Sequence, residues 1–223
     1  MDIVILAELV SSFLRNSMFF PVKAEKVGND DPQASAYLST CQATSFASPG
    51  TSKNNYTEFI RVSCNSTLYP QLCYKSMSKF AEKVQASPKL LANTSISVTL
   101  KEAKSTFMTM KNMSKYKGLS VGERAALRDC VEVTDDSVYE LQRSMDQMDH
   151  MDDGTTHFNF EISNVQTWVS AALTDYTTCM DGFYNVNEGY VKAKARKYAM
   201  NVSQLTSISL AFINRYANSG YKP

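Results

Sequence analysis

The sequence predicts an all-α protein whose body is an up-down-up-down four-helix bundle. Three observations carry this. Gly and Pro are scarce, 8 and 6 in 223 residues, and most fall between periodic segments, which disfavours a turn-rich β fold. Four long stretches repeat apolar residues at alternating spacings of four and three, the period of one helix face. The breaks between them, "YKGLS", "DDGTTH" and "NVNEG", are short, so sequential helices must run antiparallel.

Along the chain, residues 1–55 are expected to lie outside the core. "MDIVILAELVSSFLRNSMFF" contains a short apolar run, but Asp2 stands where a basic n-region belongs and Glu8 interrupts the apolar stretch. Either it is a degenerate secretion signal or the true start lies upstream. It is far too short to span a membrane. Residues 21–55 are polar and aperiodic and read as a flexible lead-in.

The expected domain covers 56–218. It opens with a short helical piece, a turn around Leu68 to Pro70, and a second helix to about Gln85. Pro70 suits a first helical turn, where its missing N–H costs nothing. Tyr69, Cys73, Met77, Phe80 and Val84 form one stripe.

The first bundle segment, about 88–115, starts at Ser87-Pro88 and carries Ile96, Leu100, Ala103, Phe107 and Met110. The second, about 121–151, carries Leu127, Cys130, Thr134, Val138, Leu141, Met145 and Met148. Ile162, Val165, Val169, Leu173, Tyr176 and Met180 mark the third, about 158–184. The last, about 189–217, carries Val191, Ala195, Tyr198, Val202, Leu205, Phe212 and Tyr216.

Five cysteines are present: Cys41, Cys64, Cys73, Cys130 and Cys179. In a symmetric antiparallel hairpin, level residues lie equally far from the centre of the turn. Cys130 and Cys179 are equidistant from the Gly154–Thr155 boundary, inside a predicted turn, and both lie on or beside apolar stripes. Cys64 and Cys73 are equidistant from Leu68–Tyr69, in another. Geometry therefore selects two disulfides, 64–73 and 130–179, with Cys41 free. In the chain-entropy model the longer loop contributes roughly 4 kcal/mol and the shorter somewhat under about 3. Five sequons, at Asn55, Asn65, Asn93, Asn112 and Asn201, also favour the secretory pathway and mark candidate glycosylation sites.

Catalytic and metal chemistry lack their residues. There is no C-x-x-C, no Gly-rich phosphate loop, no G-x-S-x-G and no pair of inward Glu-x-x-His motifs. The only histidines, His150 and His157, share one polar stretch. "DQMDHMDDG" reads as a solvated acidic helix end, and "VKAKARKYAM" as a solvated basic face. No enzyme activity, metal or cofactor is expected. A net charge of +1 gives no reason to expect nucleic acid or a membrane as partner.

The chain resembles the plant invertase and pectin methylesterase inhibitor family. The resemblance rests on "FIRVSCNSTLYPQLCYKSM", "SVTLKEAKST", "ERAALRDCVEV", "ISNVQTWVSAALTDYTTCMDGF" and "NVSQLTSISLAFIN", in that order, from about Thr57 to Ala217. It implies a secreted, apoplastic, cell-wall inhibitor with an N-terminal helical hairpin on a four-helix bundle. It implies the same two disulfides, and a 1:1 complex capping the active-site cleft of pectin methylesterase. Invertase inhibitors of the family are associated with a Pro-Lys-Phe element near the start of the last helix; "EGYVKAKARKYA" contains none, which favours pectin methylesterase over acid invertase. The alternatives are acid invertase as target, or a wall-associated binding module with no enzyme target. The resemblance carries partner contacts onto Asp136, Thr178 and Asp181, with Glu132 a weaker case. It departs at Tyr139, where an acidic residue is common.

Overall fold

The computed structural model describes residues 49–152 and 154–220, with the side chains of 55–152 and 154–219. Cys41 and the signal-like run lie outside the described residues. Every regular element among them is helical.

Helix α1, Pro49–Asn65, and helix α2, Pro70–Met77, form the hairpin. α1 begins seven residues ahead of the expected domain start, so "PGTSKNN" is helical where the sequence predicts a flexible lead-in. That stretch has no apolar stripe to reveal it; the amphipathic face starts only with Tyr56, Phe59 and Ile60. Pro70 occupies the first turn of α2. A 3-10 turn, Ser78–Phe80, leads into the short helix α3, Ala81–Val84. The chain then reverses through Gln85 and Ala86 with φ of 49° and 59°. This left-handed region is costly for residues with a Cβ.

The bundle follows as α4 (Pro88–Met113), α5 (Val121–His150), α6 (Phe158–Asp181) and α7 (Tyr190–Gly220). Each expected segment appears, within a few residues. Ser87 caps α4, its side chain accepting from the Leu90 N–H, with Pro88 in the first turn. Ser120 and Glu123 cap α5 reciprocally: Glu123 N–H donates to Ser120 Oγ at 3.2 Å, and Ser120 N–H to Glu123 Oε2 at 2.8 Å. The positive φ of Gly118 (84°) and Gly154 (87°) turns the α4–α5 and α5–α6 links.

The four helices pack in ring order: α4 on α5, α5 on α6, α6 on α7, and α7 back on α4. The α5–α6 side is therefore opposite the α4–α7 side. At one end of the core the hairpin lays Ile60, Cys64, Cys73 and Met77 against the bundle, and Arg215 Nη1 of α7 donates to Ser63 Oγ at 3.1 Å. There Phe158 meets Tyr216 edge-on, ring centres 5.5 Å apart. At the other end Met110, Met113, Leu127, Phe183 and Val191 surround Cys130 and Cys179.

Two disulfides staple this frame. Cys64 pairs with Cys73 across the α1–α2 turn, Cα atoms 5.5 Å apart, and Cys130 with Cys179 across α5 and α6, at 4.4 Å. The short second distance marks how closely these two helices approach.

Candidate partner-binding face

The close approach of α5 and α6 comes from small residues in the seam. Cys130, Thr134, Ser137 and Ser144 of α5 are buried, as are Val169, Ala172, Tyr176 and Cys179 of α6. The α5 hydroxyls cost little because each has a partner nearby. Thr134 donates to the Cys130 carbonyl at 2.5 Å and Ser144 to the Glu140 carbonyl at 2.8 Å. Ser137 Oγ lies within reach of the Val133 carbonyl (3.0 Å), the Asp175 carboxylate (3.0 Å) and, across the seam, the Ala172 carbonyl (3.4 Å).

The stripe expected on α5 departs from the buried positions at two places. Val138 and Met145, both in the expected stripe, are only half-buried; the fully buried positions are Ser137 and Ser144, one residue earlier. Side-chain size misleads here, because a tight crossing selects small residues for its centre.

Outside the seam, Glu132, Asp136 and Tyr139 of α5 are exposed, and so are Thr174, Thr178 and Asp181 of α6. Thr174 and Thr178 donate their hydroxyl protons to the Ser170 and Thr174 carbonyls of their own helix, both at 3.1 Å. Their oxygens remain free to accept from a partner. Counting back from the disulfide, Thr178 is level with Val131, next to Glu132, so one short stretch of this side presents a row from each helix that includes the expected contacts. The Tyr139 ring, 63% exposed, stands 5.5 Å from the Arg143 guanidinium, which lies 4.1 Å over Trp168 of α6. Arg143, Asp146, Gln147, His150 and Trp168 line a shallow cavity of about 310 Å³ beside it.

Between the two rows sits a group that the sequence does not single out. Glu140 of α5 and Asp175 of α6 are half-buried, and the Asp175 charge acts on Glu140. Desolvation and then the Asp175 and Asp136 charges push the Glu140 carboxyl up to about 7, against a smaller opposing effect of Arg143. Burial raises the Asp175 carboxyl too, opposed by its bond from Ser137. Glu140 Oε2 and the buried Tyr176 hydroxyl have no hydrogen-bond partner among the described residues. In sequence both acids look like ordinary solvated helix charges. Only the small Ser137 and Ala172 beside them hint that two helices close over this point.

The sequons divide by environment. Asn55, Asn65 and Asn112 are exposed. Asn93 and Asn201 are half-buried, their Nδ2 groups donating to Asp149 Oδ1 (2.6 Å) and Glu102 Oε1 (3.0 Å).

The family model for the plant invertase/pectin methylesterase inhibitor matches residues 58–212, which includes the hairpin from Glu58 on, both disulfides and the whole α5–α6 face. The chain belongs to this inhibitor family. It is 41% identical over 162 residues to the "21 kDa protein" of Daucus carota, covering 72% of this chain and 84% of that one. It is 42% identical over 163 residues to pectinesterase inhibitor 10 of Arabidopsis thaliana, covering 73% of this chain and 52% of that one. In fold it is similar to a mutant form of a pectin methylesterase inhibitor from Arabidopsis, with a TM-score of 0.57 and 20% identity over 70% of this chain and 95% of that chain. Family membership makes the chain one of a group of inhibitor proteins rather than of enzymes.

Proposed function

We propose that the protein is a secreted cell-wall inhibitor that binds pectin methylesterase one to one and caps its active-site cleft with the α5–α6 face. The observation that carries this is the pairing of exposed acceptors, Glu132 and Asp136 with Thr178 and Asp181, on the most closely joined helices of the bundle. A disulfide joining that pair of helices fixes the spacing between its two rows, so little ordering remains to be done on binding. Relatives of this chain carry the name pectinesterase inhibitor, which supports this enzyme as the target. The exposed sequons Asn55, Asn65 and Asn112 are the proposed glycan sites.

The family name also covers invertase, so acid invertase is the second reading. Titrating purified pectin methylesterase and purified acid invertase with the protein, from acidic to neutral pH, separates the two. Inhibition of the first alone is expected. Inhibition of the second alone reverses the assignment, and inhibition of neither leaves a wall-associated module without an enzyme target.

A further inference from the structure

Near-neutral net charge hides a strong separation of charge between the two opposite sides of the bundle. No Asp or Glu lies between Glu102 and Glu123, and none follows Glu188. Helices α4 and α7 therefore carry a single carboxylate, Glu102, which accepts from Asn201 Nδ2 at 3.0 Å, whereas α5 and α6 carry Glu132, Asp136, Glu140, Asp175 and Asp181 among others. Facing sides of opposite sign attract partners of opposite sign.

On this acid-poor side one cation is held in place by neutral groups. Lys194 Nζ donates to the Tyr116 hydroxyl at 3.3 Å and the Tyr190 hydroxyl at 3.1 Å, and lies 5.9 and 5.3 Å from their ring centres. No carboxylate among the described residues pairs with it; Glu188, the nearest acid along the chain, is engaged with Lys192 at 3.1 Å and Arg196 at 3.3 Å. Tyr190 is 67% exposed and Tyr116 37%, so both rings offer an apolar face to solvent beside a fixed ammonium. Lys115 and Lys117, on either side of Tyr116, and Lys197, nearly one turn beyond Lys194, are exposed as well. A row of cations with two flanking aromatic faces matches a polymer of sugar rings that each bear a carboxylate.

We propose that this surface, formed where the α4–α5 link meets the start of α7 and built on Tyr116, Tyr190 and Lys194 with Lys115, Lys117 and Lys197 around them, binds a segment of a carboxylate-bearing polysaccharide. The carboxylates meet the ammonium groups, and the apolar faces of the sugar rings lie on the tyrosines. Choosing a polyuronate rests on the reading above, because hydrolysis of a pectin methyl ester leaves a carboxylate on the polymer. Because α7, which carries Tyr190, Lys194 and Lys197, lies diagonally across the ring from α5, the protein can hold the polymer while it caps an enzyme, which keeps the inhibitor where its target's product accumulates.

The test uses the full chain without any enzyme, so it stands or falls separately from inhibition. Binding is titrated calorimetrically against polygalacturonate, against the same polymer fully methyl-esterified, and against dextran sulfate. Polygalacturonate should bind, more weakly as salt is added, and the esterified polymer should bind at least about fivefold less. The double change Lys194→Glu with Lys197→Glu should weaken binding at least about fivefold, with helical circular dichroism and binding to pectin methylesterase unchanged. If that variant does not fold, Lys115→Glu with Lys117→Glu reads the same surface. Equal binding of the two pectins, equal or tighter binding of dextran sulfate, or no effect of the lysine changes overturns the proposal.

Discussion

Ser137 Oγ lies 3.4 Å from the Ala172 carbonyl oxygen across the α5–α6 seam. Ser137 is seven residues after Cys130 and Ala172 seven before Cys179, so the register set by the disulfide runs unchanged through two further turns of both helices. The staple and the small-residue seam specify the same alignment, and the exposed rows on either side inherit it.

A larger side chain in that seam should be felt strongly. Ala172→Leu inserts three carbons where Ser137 and its neighbours leave no room. Overpacking of this kind costs about 1–3 kcal/mol, and here it also pries apart the two rows. Chemical denaturation should show the loss, together with weaker inhibition. The same change one residue earlier, Ala171→Leu, should cost under about 1 kcal/mol, since Ala171 is only half-buried.

The two disulfides should differ in worth. Replacing Cys130 and Cys179 with Ala opens the 49-residue separation and should cost about 4 kcal/mol, against somewhat under about 3 for Cys64 and Cys73, which lie 9 apart. Denaturant midpoints of the two double variants give the order directly. Equal losses would show that loop entropy is not what distinguishes them.

Ala86 carries a φ of 59°, a region in which a Cβ costs about 1 kcal/mol or more. Ala86→Gly removes that penalty but adds roughly 0.5–1 kcal/mol of chain entropy to be lost on folding, so it should raise stability by up to about 1 kcal/mol, read as an upward shift in Tm. The reversal between α3 and α4 then forms without that penalty.

Glu140 makes stability pH-dependent. Its carboxyl is raised from 4.5 to about 7 in the fold, so the folded state favours its protonated form. The associated stability is fully present below about 4.5 and is lost as pH climbs through 7. Asp175, also raised, acts in the same direction. Glu140 is partly exposed, and after solvent screening the loss amounts to about 1 kcal/mol. Glu140→Gln should therefore match the wild type at pH 4.5 and exceed it by about 1 kcal/mol at pH 8 in denaturant titrations. A variant that is less stable at pH 8 would show that the charge of Glu140 has a partner that offsets its burial.

Much of this architecture is legible in the sequence, and the reason is local. Periodicity locates α4 to α7 because each must bury one stripe, and equal spacing about a turn pairs Cys130 with Cys179. The features that escape are those decided between helices. Periodicity puts Val138 and Met145 in the seam because they are large and apolar, yet helices stapled at 4.4 Å accept Ser137 and Ser144 there instead. Half-burial of Glu140 and Asp175 follows from that closeness and has no signature in either helix alone. The polar start of α1 at Pro49 is missed for the opposite reason: it lacks the stripe on which periodicity depends. On the outer face, Asp136 and Asp181 read the same way whether a partner covers them or water does, so only the resemblance singles them out.

Asp136 gives the most direct test of the binding face. It is exposed on α5, so Asp136→Lys should change folding stability by about half a kcal/mol or less. In a complex, the same change sets the wrong sign against whatever receives the carboxylate, at a cost of about 2–5 kcal/mol. The measurement is the activity of purified pectin methylesterase titrated with wild-type protein and with Asp136→Lys, alongside the melting point of each. A capping α5–α6 face predicts inhibition by the wild type, at least about tenfold weaker inhibition by the variant, and equal melting points. Wild-type protein that leaves the enzyme fully active, or a variant that inhibits as well as the wild type, would contradict it.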